Sequence, residues 1–479
     1  TFVGWVGGIV LTLALLIAAP RVPRFAVLGL LTLLVVELFK AGSALPYRRA
    51  TAPQAFTGLR PAIAHLLASP LTSPLAPLLP PASGGKERGW GEKGGYPRFL
   101  SMSNITFDPG DLGEIEIIYG PQLSDAALYD LIVAAKHKEV LSPNLPLAFG
   151  VPAVDGYDGG VLPLARYVAL QRLLLPGKRV SMDGRLRENL TTIPDGRWLN
   201  LFNVGYVLTD KLHDAWLDGV FYDLQFGARL AQGEAAAVVC VPQFEATALG
   251  LVSYLEGTSS AKGTPVGVVE VGFADGITRT FELRAGENVT RGETATRLRW
   301  GPPATPVTVT VRGVLPDGEW VVRGISLIDE RTSSFQSLVL SDRGRFCLVH
   351  SGDVKIYENL DLLPRAFLVH QAVMAESAEA ALALMQVPAF DPAEEVVLEG
   401  DGIPGPARNG IHAYGEGRAV IVSYRPERVE IAVSLDVPAY LVLSDAWYPG
   451  WQATVDGKPV PVLRADLLFR AVAVDAGEH

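Results

Sequence analysis

Residues 267–284 read Gly-Val-Val-Glu-Val-Gly-Phe-Ala-Asp-Gly-Ile-Thr-Arg-Thr-Phe-Glu-Leu-Arg. Val269, Val271 and Phe273 share one face of an extended chain, as do Phe281 and Leu283, and Asp275-Gly276 stands between the two runs. That is the pattern of two half-buried strands joined by a tight turn. It recurs at residues 294–300, 307–314 and 320–328, with Asp317-Gly318 as a second turn signal. Short strands at regular spacing predict a jelly-roll-like β-sandwich over residues 236–335.

On either side the pattern is α+β. Upstream, residues 99–235 hold a helix at 124–139 with Ser124 as its N-cap and a second helix at 162–175. Strand-like runs stand at 203–209 and at 114–119, where Glu-Ile-Glu-Ile-Ile-Tyr alternates. Downstream, residues 336–393 hold strands at 346–350 and 355–358 and a helix at 377–385. The sandwich therefore reads as an insertion into an α+β domain whose two halves pair around it. Residues 394–479 form a further small β-sandwich, with Asp456-Gly457-Lys458 as a hairpin turn.

The amino-terminal region is different. Residues 2–19 carry no charge and are almost wholly apolar, and residues 25–39 are again apolar with one Glu. Runs of this length predict transmembrane helices over residues 1–40. Arg21 and Arg24 make the connection basic, which puts it in the cytoplasm and everything after about residue 40 outside the cell membrane. Residues 41–98 are a linker rich in Pro, Gly and Ser, with a short helix at 61–68. Thr1 falls inside an apolar run and the last residues follow a strand without a partner, so the chain reads as a C-terminal fragment.

Of 479 residues 49% are hydrophobic, which argues against disorder, and the net charge of −10 argues against nucleic acid. Cys240 and Cys347 each lie in an apolar strand-like run and read as buried free thiols. Neither has a CxxC partner, and the seven histidines show no metal-ligand spacing, so no metal or other cofactor is expected. Trp447, Tyr448 and Trp451 are candidates for an aromatic platform under a sugar ring. The plainer reading is a turn whose two Trp residues cap a small core. Asp155 and Asp158 place two carboxylates on a glycine-rich loop, suited to acid/base work or to a cation. Ordinary turns hold such clusters as well, and the full calcium-loop pattern is absent.

Residues 439–462 read Ala-Tyr-Leu-Val-Leu-Ser-Asp-Ala-Trp-Tyr-Pro-Gly-Trp-Gln-Ala-Thr-Val-Asp-Gly-Lys-Pro-Val-Pro-Val. Together with Asn-Val-Gly-Tyr-Val-Leu-Thr at 203–209 and Ile-Tyr-Glu-Asn-Leu-Asp-Leu-Leu-Pro-Arg-Ala-Phe-Leu-Val at 356–369, this stretch resembles the C-terminal part of the YfhO family of bacterial membrane proteins. That family is similar to polytopic glycosyltransferases that use lipid-linked sugar donors. The resemblance implies a lipid bilayer, a lipid-linked sugar and an envelope polysaccharide as partners, and acidic catalytic residues in an exterior loop outside this sequence. The sandwich inserted between the two shorter pieces departs from the family pattern. The expected function is acceptor recognition outside the cytoplasm for a membrane glycosyltransferase. The alternative is a membrane-anchored carbohydrate-binding or scaffolding protein without catalysis.

Overall fold

The described residues are mostly β-sheet with few helices, as β-branched and aromatic runs punctuated by Gly and Asp require. The structure, a computed structural model, describes residues 12–13, 15–17, 20, 23–43, 50–68, 97–157, 163–177, 180–257, 261–400 and 415–479. The chain divides into two compact units, one of residues 1–58 with 111–135, the other of residues 59–110 with 136–479.

In the first unit, Pro23–Ser43 is one 21-residue helix. Among the described residues no helix is long and apolar enough to cross a membrane. Most of the first expected span, residues 2–19, lies outside the described residues. Ala52, Ala55, Ile115, Leu131 and Ala135 form a small core, and the Thr51 hydroxyl donates to the Ala127 carbonyl at 2.7 Å. The strand expected at 114–119 is instead the helix Leu112–Tyr119. Six residues of Glu-Ile alternation cannot separate the two periods, and Glu is a helix former that suits the first turn. Only Ile115 of its three isoleucines is buried, while Ile117 and Ile118 are exposed.

In the second unit, a four-stranded sheet is built from both sides of the sandwich, in the order Arg98–Ser101, Val204–Thr209, Lys355–Asn359, Phe346–Ser351. Lys355 pairs with Thr209 and Glu358 with Tyr206, so the chain leaves and returns through neighbouring strands. Between them lie two facing sheets. One joins Thr294–Ala304, Ala246–Glu256, Glu319–Asp329 and Ser334–Leu338, with Ala228–Leu230 on the third of these. The other joins Ala235–Val238, Pro306–Gly313, Pro265–Phe273 and Thr278–Arg284. Leu249, Leu251, Val269, Val271, Val311 and Trp320 fill the space between as a continuous core. Gly267 is required there, because a Cβ at that position would sit 2.3 Å from the Trp320 ring.

A six-stranded sheet follows, ordered Ala366–Val369, Ala439–Leu443, Phe469–Val474, Leu463–Ala465, Glu395–Glu399, Gln371–Ala375. It draws strands from both sides of residue 393, where the last domain was expected to begin. Gly417–Arg425, Arg428–Leu435 and Gly477–Glu478 make a three-stranded sheet beside it. Asp456 and Gly457 both have positive φ, 51° and 77°, which closes the two-residue hairpin between Ala453–Val455 and Lys458–Val460.

The two cysteines are not free thiols. Cys240, exposed just past Ala235–Val238, is disulfide-bonded to buried Cys347 in Phe346–Ser351, with Cα atoms 5.6 Å apart. They stand 107 residues apart, so no local spacing announces the pair. The bond ties a strand of the sandwich to the sheet from which the sandwich emerges.

Candidate functional site

The aromatic turn does not cap an apolar core. Trp447 and Trp451 are half-buried, and each has a guanidinium on its face: Arg464 lies 3.9 Å from the Trp447 ring centre and Arg470 4.0 Å from that of Trp451. Tyr448, at the tip of the Tyr-Pro-Gly turn, is 58% exposed. Arg464 and Arg470 face each other across neighbouring strands.

Behind the turn, Asp445 is the hub of a buried charge cluster. Arg98 Nη2 donates to its Oδ1 at 2.9 Å, Arg470 Nη2 to its Oδ2 at 3.2 Å, and the Tyr424 hydroxyl to its Oδ2 at 3.0 Å. Arg365 Nε stands 3.4 Å from Oδ1 as an ion pair, and its guanidinium lies over Tyr424 at 5.0 Å. Arg98 also donates to the carbonyls of Phe202 and Ser444, at 3.0 and 2.8 Å. Burial, reinforced by the neighbouring Arg365, pulls the Arg98 guanidinium down to about 10.

Asp155 and Asp158 are not seen as a pair. Asp155 is buried, its Oδ2 has no hydrogen-bond partner, and burial pushes its carboxyl up to about 6 against the opposing pull of Arg187. Asp158 lies outside the described residues.

A groove of about 1140 Å³, which no short motif marks in the sequence, opens on the same unit. Its walls come from the helices Ala165–Leu174 and Gly196–Leu201, the turn 342–344 and the segment 386–393. Asp195 caps the second helix, its carboxylate accepting from the Arg197 amide at 3.0 Å. Arg197 lies 4.4 Å from the Trp198 ring centre, and its Nη1 donates to the carbonyls of Val387, Pro388 and Phe390. Trp198 and Phe390 stack with centroids 6.1 Å apart. Gly196 admits the turn, because a Cβ there would meet the Arg343 carbonyl oxygen at 1.9 Å. The Asn359 amide donates to Asn200 Oδ1 at 2.8 Å, and Arg345 pairs with Asp361. Capped, stacked and bridged, the walls are preorganised. Asp195, Asp342, Asp391, Gln386 and Arg172 line them and are exposed to solvent. Such a surface sets donors and acceptors among apolar side chains such as Ile193, Trp198 and Phe390, a mixture that suits a polyhydroxyl chain with apolar ring faces.

A third polar cluster, around Lys355, also escapes sequence reading. The side chain is 1% exposed, with its ammonium on Asp214 and, at 2.8 Å, on Asp223 Oδ1. The Tyr357 hydroxyl donates to the same Asp223. It pins the hairpin 214–223 onto the four-stranded sheet and opens on no described groove. No protein-family model, curated protein or solved structure matches the chain.

Proposed function

We propose that this chain is the extracytoplasmic recognition region of a membrane glycosyltransferase of the YfhO type, and that the groove beside Trp198 holds a segment of the acceptor envelope polysaccharide. The groove carries the reading: it is large and open, its walls are tied by caps, stacks and hydrogen bonds, and carboxylate, amide and guanidinium groups stand among its apolar side chains. Two further features support it. A disulfide between Cys240 and Cys347 suits an oxidising compartment outside the cytoplasm. In the helix Pro23–Ser43, Leu28, Leu31, Val35, Leu38 and Phe39 are all more than half exposed and share one side of the helix, an apolar face that asks for an apolar surround such as lipid. Membrane helices at the amino-terminal end and a lipid-linked sugar donor belong to the same proposal.

Jelly-roll connectivity is part of it as well. Ala246–Glu256 pairs with Glu319–Asp329 in one sheet, and the intervening Pro265–Phe273 pairs with Pro306–Gly313 in the other. Such nested pairing is the pattern of a jelly roll.

The test is binding of purified envelope polysaccharides to the chain by isothermal titration. Arg172→Ala and Gln386→Ala alter exposed groove residues and are expected to leave the fold intact. A loss of affinity of at least about tenfold, or 1.4 kcal/mol, in these variants is expected. Failure of every polysaccharide to bind the intact chain sinks the reading. Binding that persists in a chain with no transferase partner favours the membrane-anchored binding protein without catalysis.

A further inference from the structure

We propose that Arg365 and Arg470, with Arg464 beside them, form a binding site for a phosphoryl group behind the Trp447–Trp451 turn. Three guanidinium groups, from Arg98, Arg365 and Arg470, converge on one carboxylate, Asp445. Among the described residues no second acid reaches this cluster. Three largely buried cations thus share one anion, leaving two positive charges in excess, an arrangement that a folded chain sustains only at considerable cost.

The hydrogen-bond inventory points the same way. Arg98 has its acceptors. Arg365 is 7% exposed, and its buried Nε makes no hydrogen bond, standing 3.4 Å from Asp445 Oδ1 as an ion pair only. Arg470, 8% exposed, spends one donor on Asp445, and its Nε is buried without a partner. The Nε of Arg464, directly across the sheet, is likewise buried and unsatisfied. The Nε atoms of Arg187, Arg197 and Arg323 are also unsatisfied, and what sets this cluster apart is that three guanidinium groups share a single carboxylate.

A missing acceptor at this place has to be small, oxygen-rich and close to doubly negative. A phosphate monoester at neutral pH carries nearly two charges and offers three oxygens pointing in different directions. That matches two surplus cations whose free donors belong to separate side chains. A single carboxylate would satisfy one fork and one charge. Trp447 holds Arg464 in place, Trp451 holds Arg470, and Arg365 lies over Tyr424. The group is carried either on a free sugar phosphate or on a lipid head group.

The experiment uses the whole chain and inorganic phosphate as probe, against chloride at equal ionic strength. A saturable, phosphate-specific rise in Tm of a few degrees is expected for the unaltered protein. It is expected to disappear in Arg365→Gln and to require at least about tenfold more phosphate in Arg470→Gln. In chloride, Arg365→Gln should unfold no lower than the parent, since it removes an uncompensated buried cation. A Tm in chloride that falls sharply, with no phosphate response in the parent, makes the cluster purely structural and overturns the proposal. So does a phosphate response that both variants retain. Co-sedimentation with vesicles containing phosphatidic acid, compared with titration of glucose 1-phosphate, separates the two sources. Arg365-dependent binding in either arm supports the site, and absence from both contradicts it. The groove variants Arg172→Ala and Gln386→Ala should leave all of these responses unchanged, so failure here is distinct from failure of the polysaccharide reading.

Discussion

Asp445 shows how one side chain acquires a role that its neighbours in sequence do not disclose. It follows the strand Ala439–Leu443 and precedes the aromatic turn, and on sequence it is one of two acids flanking that turn. Folding brings Arg98, Arg365, Arg470 and Tyr424 onto it from four distant places in the chain. Asp445→Asn leaves those arginines with no carboxylate and is expected to cost about 3–5 kcal/mol, read by denaturant unfolding. A loss below about 1 kcal/mol would mean that water already reaches the cluster. Asp466 makes the opposite case. Fully buried, it accepts the Val397 amide at 2.9 Å through Oδ1, while Oδ2 has no partner, and burial pushes its carboxyl up to about 7. Its folded value thus lies above its unfolded one, so its contribution is complete at acid pH and is lost as pH rises through about 7. Asp155, raised to about 6, works in the same direction. Stability is expected to fall between pH 4 and pH 7 by roughly 3–4 kcal/mol from Asp466 alone, and Asp466→Asn should flatten the slope. An unchanged slope in that variant would place the proton elsewhere.

At the scale of elements, the disulfide between Cys240 and Cys347 closes a loop across the whole sandwich. Its reduction is expected to lower stability by about 2–5 kcal/mol, and the loss should appear in the Phe346–Ser351 edge before the sandwich core, by hydrogen exchange. Simultaneous loss throughout would mean that sandwich and sheet unfold as one. Strands such as 267–273 and 469–474 were legible because alternation and turn chemistry agree, and Asp456-Gly457 set its hairpin through residues that tolerate positive φ. The segment 114–119 misled because its alternation is too short to outweigh the helix preference of Glu. The cysteine pair, the arginine cluster and the Trp198 groove were not legible. Each joins residues separated by a hundred positions or more, and side chains that meet only through tertiary structure leave no periodic signal. The aromatic turn was found for its composition, and the arginines that stack on it were not.

For the larger unit as a whole, the arrangement is one of supports and openings. The four-stranded sheet takes strands from both sides of the sandwich, and the six-stranded sheet takes strands from both sides of residue 393. Contacts so distant in sequence hold the groove walls, 192–200, 342–344 and 386–393, in one place. The groove is therefore expected to be formed before any ligand arrives and to change little on binding. Hydrogen exchange with and without the envelope polysaccharide tests the central claim most directly. Slowed exchange confined to residues 192–200 and 386–393, with the 447–451 turn unaffected, is the expected result. Protection at the turn alone, or at neither place despite measurable binding, would contradict the assignment of the groove as the polysaccharide site.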